Sequence, residues 1–386
     1  MRKQEFIDFV KNGQVLPPKL EWKKNTNLYK IWTQRVDAND IRFKLCNGDV
    51  EKFVDAIYNF LVHHLDEFLG EVYDCAFAAK QFRDINNVNL IDPKTICNNP
   101  NNPGYFRNIC FEEIVICGGD ADINLSIRNA ITNTLKGKIR KTFFMPALFQ
   151  DIFDGKVSSN VVLTFNKSCK LVSIFSPNVY RYLLRCLKKH STNNNSILFA
   201  TASWGVPVIA ADDLDYDVVD IVDVQGSVLQ KCHTIYDELM KDKNVLFDKI
   251  YTLETFCTPS EVMDTVINKK YDHMISCPPY YDLEIYGASE QQSTDLYKTY
   301  PDWLENYWRK TVIASKKLLN DDGAFSFVMG HHVRYQYMAK DMSDIVKQEG
   351  FDLVDEIKIV PKRKPKNMHL SPIEKYEVCS IFKKRI

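Results

Sequence analysis

The sequence predicts an α/β protein, with a mostly parallel, seven-stranded sheet over 160–386 and a mainly helical N-terminal domain over 1–150. Three observations predict it. From about Val161 onward, short apolar runs alternate with longer stretches of helical period, the pattern of a parallel sheet covered on both faces. Before that point the apolar residues recur at helical spacing only. Between the helical stretches lies a polar segment, Asn86-Asn87 through Asn98-Asn99-Pro100-Asn101-Asn102-Pro103-Gly104, whose Asn and Pro content predicts a loop without a regular element.

In the N-terminal part, Val50, Phe53, Val54, Ile57, Tyr58, Leu61 and Leu65 form one helical stripe. A second helical stretch, Ile123 to Arg140, ends in the basic cluster Lys136-Gly137-Lys138-Ile139-Arg140-Lys141. The strands expected beyond it are Val161–Phe165, Ser196–Thr201, Val218–Asp223, Tyr271–Ser276, Ala324–Met329, Phe351–Val360 and Glu377–Lys383. Helices are expected over Gly226–Lys241, Trp303–Leu319 and Met338–Gly350. In the first of these Val228, Leu229, Cys232, Ile235, Tyr236, Leu239 and Met240 share one face. No internal repeat is visible.

Composition narrows the classes. The apolar share of 45% supports a substantial core, and no run approaches the length that spans a membrane. Met1-Arg2-Lys3-Gln4-Glu5 leads into a mixed amphipathic segment without signal-peptide character. The 11 cysteines form no Cys-x-x-Cys pair, and several lie inside apolar runs, which points to small buried thiols in a reducing, intracellular compartment. A formal net charge of zero gives no global drive toward nucleic acid, although the last 26 residues carry eight Lys and Arg against Glu374 and Glu377. A basic terminus of this kind is a solvated tail or a phosphate contact. No metal is expected: His331-His332 point apart on a strand, with no carboxylate or cysteine at ligand spacing, and His63-His64 read as a helix surface pair.

The stretch that carries most chemistry is Ser276-Cys277-Pro278-Pro279-Tyr280-Tyr281-Asp282-Leu283-Glu284, at the mouth of the predicted strand Tyr271–Ser276. Two prolines fix φ and withhold their N–H groups, so neighbouring carbonyls are left as acceptors beside an aromatic face. A flat, amino-bearing base could lie on such a ledge. A Pro-Pro-Tyr triplet also occurs in ordinary turns and in proline-rich ligands. This segment resembles the Pro-Pro-Tyr motif of S-adenosylmethionine-dependent amino-methyltransferases of nucleic-acid bases, including the branch common in phages and large viruses. The resemblance covers roughly 160–386 and implies a Rossmann-like class I methyltransferase fold. It implies catalytic roles for Cys277, Pro278, Pro279 and Tyr280, and substrate contacts for Tyr281 and Glu284.

The same resemblance extends to Leu198-Phe199-Ala200-Thr201-Ala202-Ser203-Trp204-Gly205-Val206-Pro207, similar to a cofactor loop reading Val-Leu-Asp-x-x-Ala-Gly-Trp-Gly-x-Arg. It implies cofactor contacts for Ala200, Ala202, Trp204 and Gly205, for Phe175 upstream, for Asp223 as the ribose acceptor at the end of Val218–Asp223, and for Ser260. Thr258 or Ser260 is also a candidate helix cap. Tyr300-Pro301-Asp302-Trp303-Leu304 and Leu318-Leu319-Asn320-Asp321-Asp322-Gly323 match structural segments of the family. Three departures stand out. Phe199 replaces an acid, Ser203 a glycine, and Cys277 the Asp, Asn or Ser whose oxygen accepts from the target amine; a thiol is a weak acceptor.

Two readings follow. One is an S-adenosylmethionine-dependent methyltransferase of an exocyclic amine, adenine N6 or cytosine N4, weakened at these positions, with DNA ahead of RNA as substrate. The other is a pseudoenzyme: a scaffold or nucleic-acid-binding subunit of a larger assembly that kept the fold. In both, the N-terminal helical domain is the part available for recognition or for docking a protein partner, and no membrane is involved.

Overall fold

The structure is a computed structural model, and it describes residues 2–13, 37–63, 89–98, 176–212, 214–241, 243, 250–282, 292–330, 334–361 and 376–385. Two compact units divide the chain: Met1–Asp74 with Phe111–Val172, and Cys75–Cys110 with Ser173–Ile386. The first contains α1 (Arg2–Lys11), α2 (Ile41–Leu45) and α3 (Val50–His63). Asp40 starts α2, its carboxylate accepting from the Arg42 N–H at 2.8 Å. Phe6, Phe9, Phe53 and Phe60 form the core, with Phe60 edge-on to Phe6 at 5.4 Å and to Phe9 at 5.5 Å. The predicted helical stretch Ile123 to Arg140 and the predicted strand Val161–Phe165 lie outside the described residues.

The second unit is built on a nine-stranded sheet. Its elements are β1 (Asn89–Asp92), β2 (Thr95–Asn98), α4 (Pro177–Lys188), β3 (Ser196–Phe199), α5 (Val206–Ala211), β4 (Val218–Asp223), α6 (Gly226–Lys241), β5 (Thr252–Cys257), β6 (Tyr271–Ser276), β7 (Leu319–Met329), α8 (Met338–Gln348), β8 (Phe351–Pro361) and β9 (Glu377–Lys384). Between β6 and β7 runs α7, composed of Tyr300–Asp302, a π-helical stretch Trp303–Arg309, and Lys310–Leu318. The spatial strand order is β1-β2-β8-β9-β7-β6-β3-β4-β5.

The sheet corrects the expected mostly parallel, seven-stranded arrangement: it is mixed. Pairs β2–β8, β3–β4, β3–β6, β4–β5 and β6–β7 are parallel, whereas β1–β2, β7–β9 and β8–β9 are antiparallel. The last strand turns back and enters between β7 and β8, which the strand pattern alone does not reveal. β1 and β2 correct a second expectation, because they form a hairpin inside the Asn- and Pro-rich segment. The partner of β2 is β8, more than 250 residues away, through Thr95↔Lys358 to Asn98↔Pro361. Local composition does not report such a pairing. β5 also carries no apolar run. It is an edge strand, half exposed along its length, so burial does not shape its sequence.

What positions the site is the order of the parallel core. From β3 the chain moves outward to β4 and β5, then returns to the other flank of β3 as β6 and continues to β7. Neighbours β3 and β6 therefore send their following segments in opposite directions, and a crevice opens beyond their carboxyl ends. Under one face lies a core of Leu198, Met274, Phe325, Phe327 and Phe382 with Trp303, Trp308 and Met342, all at most 1% exposed. The Trp308 indole N–H donates to the Met342 carbonyl at 3.0 Å, which satisfies the polar end of a buried ring.

Candidate functional site

A cleft with about 1070 Å³ of open space lies at this switch point. The segments after β3, β4, β5 and β6 line it, joined by Gln292 and Ser293, Tyr307 of α7, and Glu377 at the start of β9. Lining groups from so many chain segments converge only because parallel strands all end on the same side of the sheet.

The ledge after β6 forms one wall. Cys277, Pro278, Pro279 and Tyr280 all line the cleft. The Cys277 N–H donates to Thr201 Oγ1 at 3.0 Å, which ties the ledge to the loop after β3. The Tyr280 hydroxyl donates to Glu377 Oε1 at 2.8 Å. Gly330, at the end of β7, leaves room for that pair: a Cβ there would stand 2.8 Å from Glu377 Cγ and 3.1 Å from the Tyr280 hydroxyl. Ser276 is 1% exposed, and its Oγ has no partner among the described residues.

Tyr281, expected to contact substrate, is not among the residues that line the cleft. With φ at +47° the chain turns sharply, and the ring points into an aromatic cluster rather than the cleft. Tyr300, Trp303 and Tyr335 surround it at 5.8, 5.9 and 5.5 Å, and its hydroxyl donates to the Lys298 carbonyl at 2.8 Å. Tyr281 braces the ledge from behind.

The loop after β3 forms the opposite wall. Ser203, Trp204 and Gly205 have φ of +41°, +60° and +81° in succession, a left-handed turn leading into α5. Gly205 suits this turn by its dihedral, and a Cβ there would stand 2.6 Å from Ile235 Cδ1 of α6, which would have to shift. The glycine allows this helix packing, and Gly205, expected to contact a cofactor, is not among the residues that line the cleft. Ser203 holds a left-handed dihedral without that freedom, an arrangement costing on the order of 1–2 kcal/mol. Phe199 is 1% exposed and packs against Tyr180, with ring centroids 6.3 Å apart.

Asp223 ends β4 and joins both neighbouring loops. Its Oδ2 accepts from the Ala202 N–H and its Oδ1 from the Gln225 N–H, each at 2.9 Å. Ala202 therefore enters through its backbone; it is fully buried and does not line the cleft. Burial pushes the Asp223 carboxyl up from the usual range, while these N–H groups pull the other way.

The far end of the cleft is closed by Thr258, Pro259, Ser260 and Glu261. Neither Thr258 nor Ser260 caps the short turn Ser260–Thr265; Pro259 holds the cap position, and Ser260 Oγ meets Thr311 Oγ1 at 2.9 Å instead. Glu261 accepts from the Tyr297 hydroxyl at 3.0 Å, and burial pushes its carboxyl up. Tyr307 reaches the same end from α7, and burial raises its phenol.

Of the residues singled out in the sequence, Ala200, Trp204, Asp223, Ser260, Cys277, Pro278, Pro279 and Tyr280 line one cleft. Phe175 and Glu284 lie outside the described residues, as do His331 and His332. Sequence reasoning missed Glu261, Gln292, Tyr307 and Glu377. Glu261 adjoins the cap candidate Ser260 and Tyr307 lies one turn along a predicted helix, but nothing in the sequence points from Tyr280 to Glu377. Among the described residues no group of three or more His, Cys, Asp or Glu is placed to hold a metal ion, and no helix is long and apolar enough to cross a membrane.

Comparison with known proteins gives distant likenesses only. No protein-family profile matches the chain, and no curated protein matches it. Among solved structures, the chain is similar to TrmN from Thermus thermophilus, with 12% identity and a TM-score of 0.35 over 54% of this chain. The match takes in 48% of TrmN, so the chain spans about half the length of that protein. The N-methyltransferase NodS from Bradyrhizobium japonicum WM9 is similar at 9% identity and a TM-score of 0.36, covering 54% of this chain and 95% of NodS. An S-adenosylmethionine-dependent methyltransferase from Clostridium acetobutylicum ATCC 824 has 10% identity and a TM-score of 0.37, covering 55% of this chain and 93% of that one.

Proposed function

We propose that this protein is an S-adenosylmethionine-dependent methyltransferase acting on the exocyclic amine of a nucleic-acid base, slowed by the residue at its ledge. The observation that carries the reading is the convergence, at the switch point of an α/β sheet, of the loop after β3, Asp223 after β4 and the Cys277-Pro278-Pro279-Tyr280 ledge after β6 around one cleft.

The donor set fits the cofactor over most of its length. Asp223 offers carboxylate oxygens at a strand end, where a ribose diol would donate. Thr258, Ser260, Glu261 and Tyr307 give the far end hydroxyls and a carboxyl suited to the polar edge of a purine. The loop after β3 brings no acid to the other end, since Phe199 stands in that place and is turned into the core. When bound, S-adenosylmethionine supplies a methyl group on a sulfonium, which a nucleophilic nitrogen can take.

The ledge would prepare that nitrogen. The Pro278 carbonyl accepts from the target amine and the Tyr280 face stacks on the base ring. A second acceptor would draw the lone pair further out of conjugation, and Cys277 supplies only a thiol there. The DNA preference and the docking role of the N-terminal domain belong to the same proposal. The second reading, a scaffold without catalysis, is favoured by the same two features, Phe199 in the core and the thiol at the ledge.

Cys277→Ser and Cys277→Asp separate the two. Each variant would be incubated with radiolabelled S-adenosylmethionine and single-stranded or duplex DNA and RNA oligonucleotides. If the protein is a slowed enzyme, transfer should rise about tenfold, the equivalent of about 1.4 kcal/mol of transition-state hydrogen bonding. Absence of transfer in wild type and in both variants, on every oligonucleotide, would leave the scaffold standing. Strong native transfer lost in Cys277→Ser would contradict both readings.

A further inference from the structure

The loop after β3 lacks an acid, but it is not bare. Thr201 and Ser203 line the cleft side by side, with Oγ1 and Oγ 3.5 Å apart. Behind them stands Tyr180 of α4, 1% exposed, whose hydroxyl is 2.8 Å from Ser203 Oγ. Thr201 Oγ1 also accepts the Cys277 N–H at 3.0 Å, so the pair is anchored to both walls of the cleft. Ser203 keeps φ at +41°, a dihedral that glycine would hold more cheaply. Backbone strain of this kind clusters at ligand clamps and active sites.

We infer that Thr201 and Ser203, backed by Tyr180, seat the amino-acid end of S-adenosylmethionine in place of the missing carboxylate. The inference rests on the cofactor reading above. Each hydroxyl both donates and accepts, so the pair can meet an α-carboxylate with its protons and an α-ammonium with its lone pairs. The buried Tyr180 phenol, 2.8 Å from Ser203 Oγ, holds that hydroxyl in place at the cleft wall. A neutral seat of this kind discriminates between ligands by the presence of the amino-acid end, whichever charge leads.

Titration calorimetry on the full chain tests this with two ligands, S-adenosylhomocysteine and 5′-methylthioadenosine, which lacks the amino-acid end. Wild type should bind S-adenosylhomocysteine at least about tenfold more tightly. Thr201→Val and Ser203→Ala should each remove most of that advantage, and Tyr180→Phe about threefold of it, with 5′-methylthioadenosine affinity unchanged in all three. Retained 5′-methylthioadenosine binding also shows that each variant is folded. Equal binding of the two ligands by wild type, equal weakening of both in the variants, or tighter S-adenosylhomocysteine binding in Ser203→Gly would each overturn the seat alone. Binding of neither ligand by wild type would overturn the cofactor reading, and the seat with it.

Discussion

On β4, Asp220 and Asp223 lie three residues apart and burial pushes both carboxyls up, yet their partners are of different kinds. Asp220, 0% exposed, accepts from the Tyr271 hydroxyl at 2.5 Å and pairs with Lys269 Nζ at 2.6 Å. Asp223 accepts backbone N–H groups, from two loops that border the cleft. The contrast holds for the two ends of the parallel strands as a whole. Toward the amino ends, polar side chains close on one another: Asp272 accepts from the Ser196 and Asn195 N–H groups, the Ser196 hydroxyl and the Asn320 amide. Toward the carboxyl ends, hydroxyls and carboxylates border open space. Polar groups therefore serve fold specification at the closed end and leave binding capacity at the open one.

Breaking the closed end should cost the most. Asp220→Ala leaves the Tyr271 hydroxyl buried without an acceptor and Lys269 without its buried partner. A loss of about 3 kcal/mol in urea unfolding is expected, discounted because the Lys269 side chain is 40% exposed. Affinity for S-adenosylhomocysteine in the folded fraction should not change. Loss of affinity with little loss of stability would mean that the two ends are not separate in function.

The same end sets an acid limit. His273 on β6 is 0% exposed, meets the Tyr216 hydroxyl through Nδ1 at 3.3 Å, and its Nε2 has no partner among the described residues. Burial lowers it to about 4; Lys188 and Lys383 add to the fall, while Asp272 and Asp322 oppose it. A histidine depressed in the folded state is protonated first in the unfolded chain. Stability contributed by the neutral ring is thus full above the unfolded value near 6.5 and falls as pH drops toward 4, by about 3 kcal/mol in total. Urea unfolding from pH 7 to pH 4 should show this slope, and His273→Leu should flatten it. An unchanged slope in the variant would assign the acid limit elsewhere.

These features bear on what was legible in the sequence. β4, β6 and α6 have the predicted bounds because each is either buried throughout or carries one apolar stripe. β5 and the β1–β2 hairpin were not legible, since edge strands are not shaped by burial and β2 finds its partner across the chain. The cleft was half legible: Pro-Pro-Tyr and the residues around it announce themselves by composition. Tyr281 and Glu377 did not, because the turn at +47° that hides the one, and the strand insertion that brings in the other, depend on tertiary pairing.

At the open end, Asp223→Ala should weaken S-adenosylhomocysteine binding by about 1–3 kcal/mol, because the groups it accepts from are left unpaired. It should also lower stability by about 1 kcal/mol, since the Ala202 and Gln225 N–H groups lose their acceptor. Reduced stability with unchanged affinity would make Asp223 a loop staple, and would erase its difference from Asp220.

The smallest effect concerns Ser203, where fold and site make opposite demands. Glycine would relieve the +41° dihedral, but it would also remove the hydroxyl that meets Tyr180 at 2.8 Å. A single substitution mixes these terms. Comparing Ser203→Gly with Ser203→Ala separates them, since both lose the hydroxyl and only alanine keeps the Cβ that strains a left-handed dihedral. Ser203→Gly should unfold at higher urea than Ser203→Ala, by about 1 kcal/mol. Equal stability of the two variants would mean that the backbone at 203 relaxes once the hydroxyl is gone, and that the Tyr180–Ser203 bond, rather than the turn, holds the loop in its left-handed form.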